Sequence, residues 1–232
     1  MNFRRISLSV LSFLFLSGCG AQFYLLQIFG PDHYYIAAAQ PAAEIAAPPA
    51  PGSPEDKKDF ETLLDWQARR TEADCGKANA QASADYDKFF GDISPFPAPL
   101  PPEASTILFH VYFDAGKTVS AAKKRFARER PFRRNKELTP CLGRIAGLSY
   151  PSGHATVSRL FALLLSDLDP ARRAAFMARA DQAALNRVIG GVHHPSDIEA
   201  GKLLGNAIYA DLQQTPSFRA DFEKLKPLLK PL

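Results

Sequence analysis

From residue 55 onward, apolar side chains recur at steps of three and four, and no stretch sustains the strict alternation of a half-buried strand. The clearest stripe is Leu108, Val111, Tyr112, Ala115, Val119, Ala122 and Phe126, which predicts one buried face on a helix from about Glu103 to Glu129. Val157, Leu160, Phe161, Leu164, Leu165 and Leu168 mark another, starting at the turn Pro151-Ser152-Gly153-His154. An Ala-rich segment from Pro170 to Ile189 reads as helix and stops at Gly190-Gly191, a plausible C-cap. The next helix opens at Pro195, a favoured first position, and continues through Ile198, Leu203, Leu204, Ile208 and Leu212. Lys57 to Thr71 and Ala73 to Phe90 are further candidates, divided from these by the turn-rich run Ser94 to Pro102. The pattern predicts an all-α fold, a single compact helical bundle over residues 56–232.

The N-terminus has a different texture. Arg4 and Arg5 precede a mostly apolar stretch, Ile6 to Leu16, that ends in Leu16-Ser17-Gly18-Cys19. The stretch is too short for a permanent spanning helix and reads as an export signal over residues 1–18. Leu-Ser-Gly-Cys resembles the bacterial lipobox, which makes Cys19 the expected lipidated first residue of an exported, periplasmic, membrane-anchored protein. Residues 19–55 are rich in Ala and Pro and read as a tether or arm. Its aromatic residues, among them Tyr34 and Tyr35, are unusual for a free linker, and leave open whether part of it packs on the domain or lies at a membrane surface.

Composition narrows the function classes. At 232 residues, 46% hydrophobic and 22% charged, the chain is long enough for one well-buried core. The formal net charge of +4 falls to +2 without Arg4 and Arg5, too little for a nucleic-acid partner. After the signal no apolar run approaches the roughly 18 residues of a membrane span, so the catalytic domain is expected to be soluble. Export would place Cys75 and Cys141 in an oxidising compartment, and a disulfide between them is expected.

Three separated clusters carry the candidate chemistry: Lys123 with Arg130-Pro131, then Pro151-Ser152-Gly153-His154, then Arg187 with His193 and Asp197. Lys123 and Arg130, seven apart, would share one helix face with Pro131 ending that helix. The turn before His154 offers Ser152, backbone N–H groups and the approach that Gly153 permits, at a helix start that attracts phosphate. Arg187 can grip two phosphate oxygens with its fork. Asp197, four residues after His193 at the start of a helix, can fix the imidazole's tautomer and leave its other nitrogen free. Together these groups supply what phosphoryl transfer without a metal or other cofactor needs: His193 as nucleophile, His154 as proton donor, and Lys123, Arg130, Ser152, Gly153 and Arg187 around the phosphate. Adjacent His194 has at best a pocket-wall role, while His33 and His110 read as structural. Pocket walls are expected from Phe90 to Pro102 and from Phe132 to Ser149.

These motifs resemble the signature of the superfamily that joins bacterial class A non-specific acid phosphatases, type-2 phosphatidate phosphatases and vanadium haloperoxidases. Lys123, Arg130 and Pro131 fit its first motif, Tyr150 to Ala155 the second, and Arg187, His193 and Asp197 the third. The third usually opens Ser-Arg, and Asn186 stands here in place of the serine. The resemblance implies a helical acid phosphatase acting on small phosphate monoesters through a phosphohistidine. Vanadate in the same anion pocket, giving a haloperoxidase, is one alternative. A zinc hydrolase using His154, His193, His194 and Asp197 and a non-catalytic phosphate- or lipid-binding lipoprotein are two others. The natural substrate and any self-association stay open.

Overall fold

The computed structural model describes residues 31–38, 41 and 45–231. The expected signal and Cys19 lie outside these. His33–Leu232 forms one compact unit. The described residues are helical, with no strand among them. The α-helices are α1 (Pro54–Arg69), α2 (Glu72–Ala80), α3 (Tyr86–Phe90), α4 (Pro102–Phe126), α5 (Pro131–Arg134), α6 (Gly153–Leu168), α7 (Arg173–Ile189), α8 (Pro195–Gln214) and α9 (Pro216–Leu225).

Helix α6 is the axis of the bundle. It packs along α7 and α8 and against α4, and eleven of its sixteen residues are buried, as a helix apolar around most of its circumference requires. Glycines let α8 come close: a Cβ on Gly201 would lie 2.5 Å from Ser152 O, and one on Gly205 2.8 Å from Thr156 O. Ser152 N donates to Asp197 O at 2.9 Å across this contact, so the starts of α6 and α8 are joined backbone to backbone. No described helix is long and apolar enough to cross a membrane.

Three boundaries differ from the expectations. The segment Ala73 to Phe90 is two helices, because polar caps override an apolar rhythm that reads through them. Thr71 and Asp74 form a capping box for α2, and Asp85 accepts from Lys88 N to start α3. Helix α4 ends at Phe126, where Ala127 turns left-handed at φ 49° and its N–H bonds Lys123 O. That conformation is costly for alanine; it is held by Arg128, whose side chain is drawn into a buried set of carboxylates. Arg130 therefore lies beyond the helix, in extended backbone at the start of α5, and not on a shared face of α4 with Lys123. Finally α9, with Phe218, Phe222 and Leu225 buried at helical spacing, extends the bundle beyond the last expected helix.

Part of the stretch read as a tether is packed. The N–H groups of Tyr34, Tyr35 and Ile36 all donate to the buried carboxylate of Asp114 on α4, at 2.8, 2.7 and 3.0 Å. The Tyr34 ring stacks on His110 at 3.7 Å, and Tyr150 OH donates to Ala46 O. Cys75 on α2 is bonded to Cys141, with their Cα atoms 6.0 Å apart.

Candidate active site

The third cluster forms a buried corner between α7 and α8. Gly190 caps α7 where a Cβ would run into the Leu142 side chain, and Gly191 takes the left-handed turn at φ 75° that glycine tolerates. The chain then runs through His193 and His194 into Pro195, so that Asp197 sits in the first turn of α8. One oxygen of Asp197 accepts from His194 N at 2.8 Å and from Nδ1 of both His193 and His194 at 3.1 Å, and also from Ser149 Oγ. The other accepts from Arg128 at 2.7 Å. Burial alone would raise the Asp197 pKa, but the donors from His193 and His194 outweigh it and hold the carboxylate ionised, well below its ordinary range.

With Nδ1 spent on Asp197, His193 presents Nε2 as an unprotonated lone pair, 2.8 Å from an Arg130 N–H. Burial first, and then the nearby Arg130 and Lys123 charges, keep this imidazole neutral with a pKa well below the ordinary value, although Asp197 pulls the other way. A neutral, oriented imidazole beside cations is the form a nucleophile for phosphorus needs.

The cations converge on the same place. Lys123 Nζ donates to Leu148 O and to Ser149 O, and Arg130 donates to Val192 O at 3.0 Å and Ala146 O at 3.3 Å. Arg187 donates to Ala78 O. Each charge thus rests on neutral carbonyls. Among the described residues the buried Nε atoms of Arg130 and Arg187, like those of Arg128 and Arg159, have no hydrogen-bond partner. Burial, then repulsion from Arg130, pushes Lys123 down to about 7 and Arg187 to about 10; burial likewise brings Arg130 to about 10.

In the second cluster Ser152 caps α6, accepting from Ala155 N at 3.4 Å, and Gly153 is the first helical residue. His154 lies beyond them. Its Nε2 is 3.0 Å from Gln81 O and 3.1 Å from Ala82 O, so it must carry the proton, and Phe89 meets the ring edge-on at 5.8 Å. Arg187 Nη1 approaches that nitrogen to 3.5 Å. Burial and then the Arg187 charge lower the His154 pKa to about 3. Arg187 therefore touches the second cluster, while Arg130, against His193, is close enough for its charge to act on Lys123, Arg187 and His154. The Phe132 to Ser149 segment supplies carbonyls to Lys123 and Arg130 as a wall. Beside His154, however, the wall is Ala78, Gln81 and Ala82, while Ile93, Asp92 and Pro95 of the other expected segment bond Arg172, Arg179 and Lys230.

Sequence reasoning missed the network behind Asp197. Arg128, one of several basic residues around Lys123 and Arg130 in the sequence, is buried and bonds Asp56 at 3.1 Å, Asp59 at 2.9 Å and Ser196 at 2.7 Å besides Asp197. Arg134 grips Asp56 in a bidentate pair and reaches His194 Nε2 at 3.2 Å. The usable signal was two acids three apart on one helix, Asp56 in its first turn and Asp59 in the next, both of which are buried. Among the described residues no three His, Cys, Asp or Glu side chains are grouped to hold a metal ion.

Residues 104–215 match the PAP2 superfamily, a range that contains all three clusters. A non-specific acid phosphatase of Providencia stuartii is 28% identical over 84% of this chain and 84% of its own length. An acid phosphatase of Zymomonas mobilis subsp. mobilis is 30% identical over 83% of this chain and 76% of its own. The crystal structure of a bacterial vanadium-dependent iodoperoxidase shares the fold, with a TM-score of 0.55 and 19% identity over 77% of this chain and 53% of that one. With its helices, its three motifs and these relatives, the chain belongs to the PAP2 superfamily, as an enzyme of its acid-phosphatase group.

Proposed function

We propose that this acid phosphatase hydrolyses small phosphate monoesters in two metal-independent steps through a phosphohistidine on His193. In the first, the Nε2 lone pair of His193 attacks phosphorus in line, the phosphorus–oxygen ester bond breaks, and the departing oxygen takes the Nε2 proton of His154. Lys123, Arg130, Arg187, the Ser152 hydroxyl and the N–H groups of Gly153 and His154 hold the equatorial oxygens. In the second, His154 accepts a proton from water as it attacks phosphorus; the nitrogen–phosphorus bond breaks, its electron pair returns to His193, and inorganic phosphate leaves.

The observation that carries this reading is His193 with Nδ1 held by Asp197, which leaves Nε2 the acceptor nitrogen, met by an Arg130 N–H at 2.8 Å. A bound phosphate would draw Arg130 away and free that lone pair. Its negative charge would also favour the protonated form of His154, countering the burial and the Arg187 charge that disfavour it. Hydrolysis of p-nitrophenyl phosphate in excess EDTA tests the reading. Turnover that persists in EDTA and vanishes in His193→Ala supports it; turnover that EDTA abolishes, or that survives in His193→Ala, overturns it. Export and lipid anchoring through Cys19 belong to the same proposal, with labelling by radioactive palmitate in the parent and none in Cys19→Ser as the expected outcome.

A further inference from the structure

The proton that His154 would give to the leaving group is already engaged. Its acceptors are two carbonyl oxygens of the turn between α2 and α3, Gln81 O and Ala82 O. An Nε2–H has one proton to share, so a departing ester oxygen must take the place of these carbonyls. We infer that this turn is a latch over the leaving-group side of the site, held shut by the side-chain pair Gln81 and Asn186, and that its opening limits which esters react and how fast. The inference rests on the phosphatase reading above.

What holds the turn is polar and local. Gln81 Oε1 accepts from Asn186 Nδ2 at 2.7 Å, and Asn186 Oδ1 accepts from Gln182 at 2.9 Å, so the asparagine is oriented from α7. Asn186 immediately precedes Arg187, which donates to Ala78 O near the end of α2, so one turn of α7 grips the end of α2 at two points. Helix α2 itself has little apolar hold: Ala78 is its one buried residue. Segments with few buried apolar contacts open at low free-energy cost. The Cys75–Cys141 bond staples the body of α2, and Asp85 fixes the start of α3, so the displacement is confined to the end of α2 and the four residues that follow.

Phosphate alone and a phosphate ester make different demands on this latch. Inorganic phosphate needs the cations and the α6 start but has no leaving group to place against His154. Loosening the latch therefore acts on ester turnover and spares phosphate binding, a split that a merely structural role for Gln81 would not produce. Gln81→Ala removes the hydrogen bond to Asn186, and Asn186→Ser removes it from the other side.

The experiment measures kcat/KM for p-nitrophenyl phosphate, Ki for inorganic phosphate as a competitive inhibitor, and hydrogen exchange of peptides spanning residues 81–85, in the full chain and both variants. The expected result is a rise in kcat/KM of about three- to tenfold, the worth of one net hydrogen bond, with Ki within about twofold and faster exchange over 81–85. Unchanged or lower kcat/KM in both variants, or a Ki that moves in parallel, overturns the latch. If the parent protein turns over no ester at all, the phosphatase reading fails by itself. The exchange arm then still decides the latch: no acceleration in either variant overturns it.

Discussion

The two histidine positions sit in opposite kinds of surroundings. His193 is locked: its partner Asp197 accepts five hydrogen bonds, Arg128 ties that carboxylate to Asp56 and Asp59, and the corner is backed by an apolar cluster that includes Leu63, Phe132, Val188, Val192 and Ile198. His154 faces a turn whose helix buries one residue and which is held by a few polar contacts. The contrast makes physical sense for double displacement. A nucleophile gains from a fixed direction of attack, whereas the acid beside it must admit leaving groups and then water.

The largest effect expected from breaking this contrast is on the locked side. His193→Ala removes the atom that forms the intermediate, and kcat is expected to fall by at least about 10⁴-fold. His154→Ala is expected to cost about 10²- to 10⁴-fold with alkyl phosphates. The loss shrinks for p-nitrophenyl phosphate, whose leaving group needs little protonation; steady-state kinetics on the two ester types separates the roles. Arg128→Met leaves the carboxylates of Asp56, Asp59 and Asp197 buried without their shared cation, and urea unfolding is expected to show a loss of about 3–5 kcal/mol.

The smallest effect is a pH limb. Lys123 is lowered to about 7 by burial and by Arg130, so its charge, and its pull on phosphate, is present below that pH and lost above it. kcat/KM is expected to fall by about tenfold per pH unit on the alkaline side of 7. Lys123→Arg, whose guanidinium stays charged, should move that limb upward even if it lowers the maximum. A pH profile of the two enzymes measures the shift.

Much of the locked side was legible because it is local. Gly190-Gly191, Pro195 and the four-residue step from His193 to Asp197 dictate a helix end, a turn and a helix start, which leaves those two side chains little freedom. Lys123 and Arg130 do not share the helix face that their spacing suggests: the chain leaves α4 at Ala127, and Arg130 comes from the extended backbone that follows. Arg128 was illegible because five other basic residues surround it in sequence, and what singles it out is burial against acids some 70 positions away. The break between α2 and α3 was hidden by apolar residues that keep helical spacing across it. It is set by Ser83, which bonds Asp85, and by Asp85, which caps α3.

The most direct measurement is to trap the intermediate. His154→Ala enzyme, mixed with a ³²P-labelled activated ester and quenched within the first turnover, is expected to carry acid-labile, base-stable label on the peptide that contains His193. Label on any other residue, or equal labelling after His193→Ala is added to the same protein, would contradict the assignment of His193 as the nucleophile.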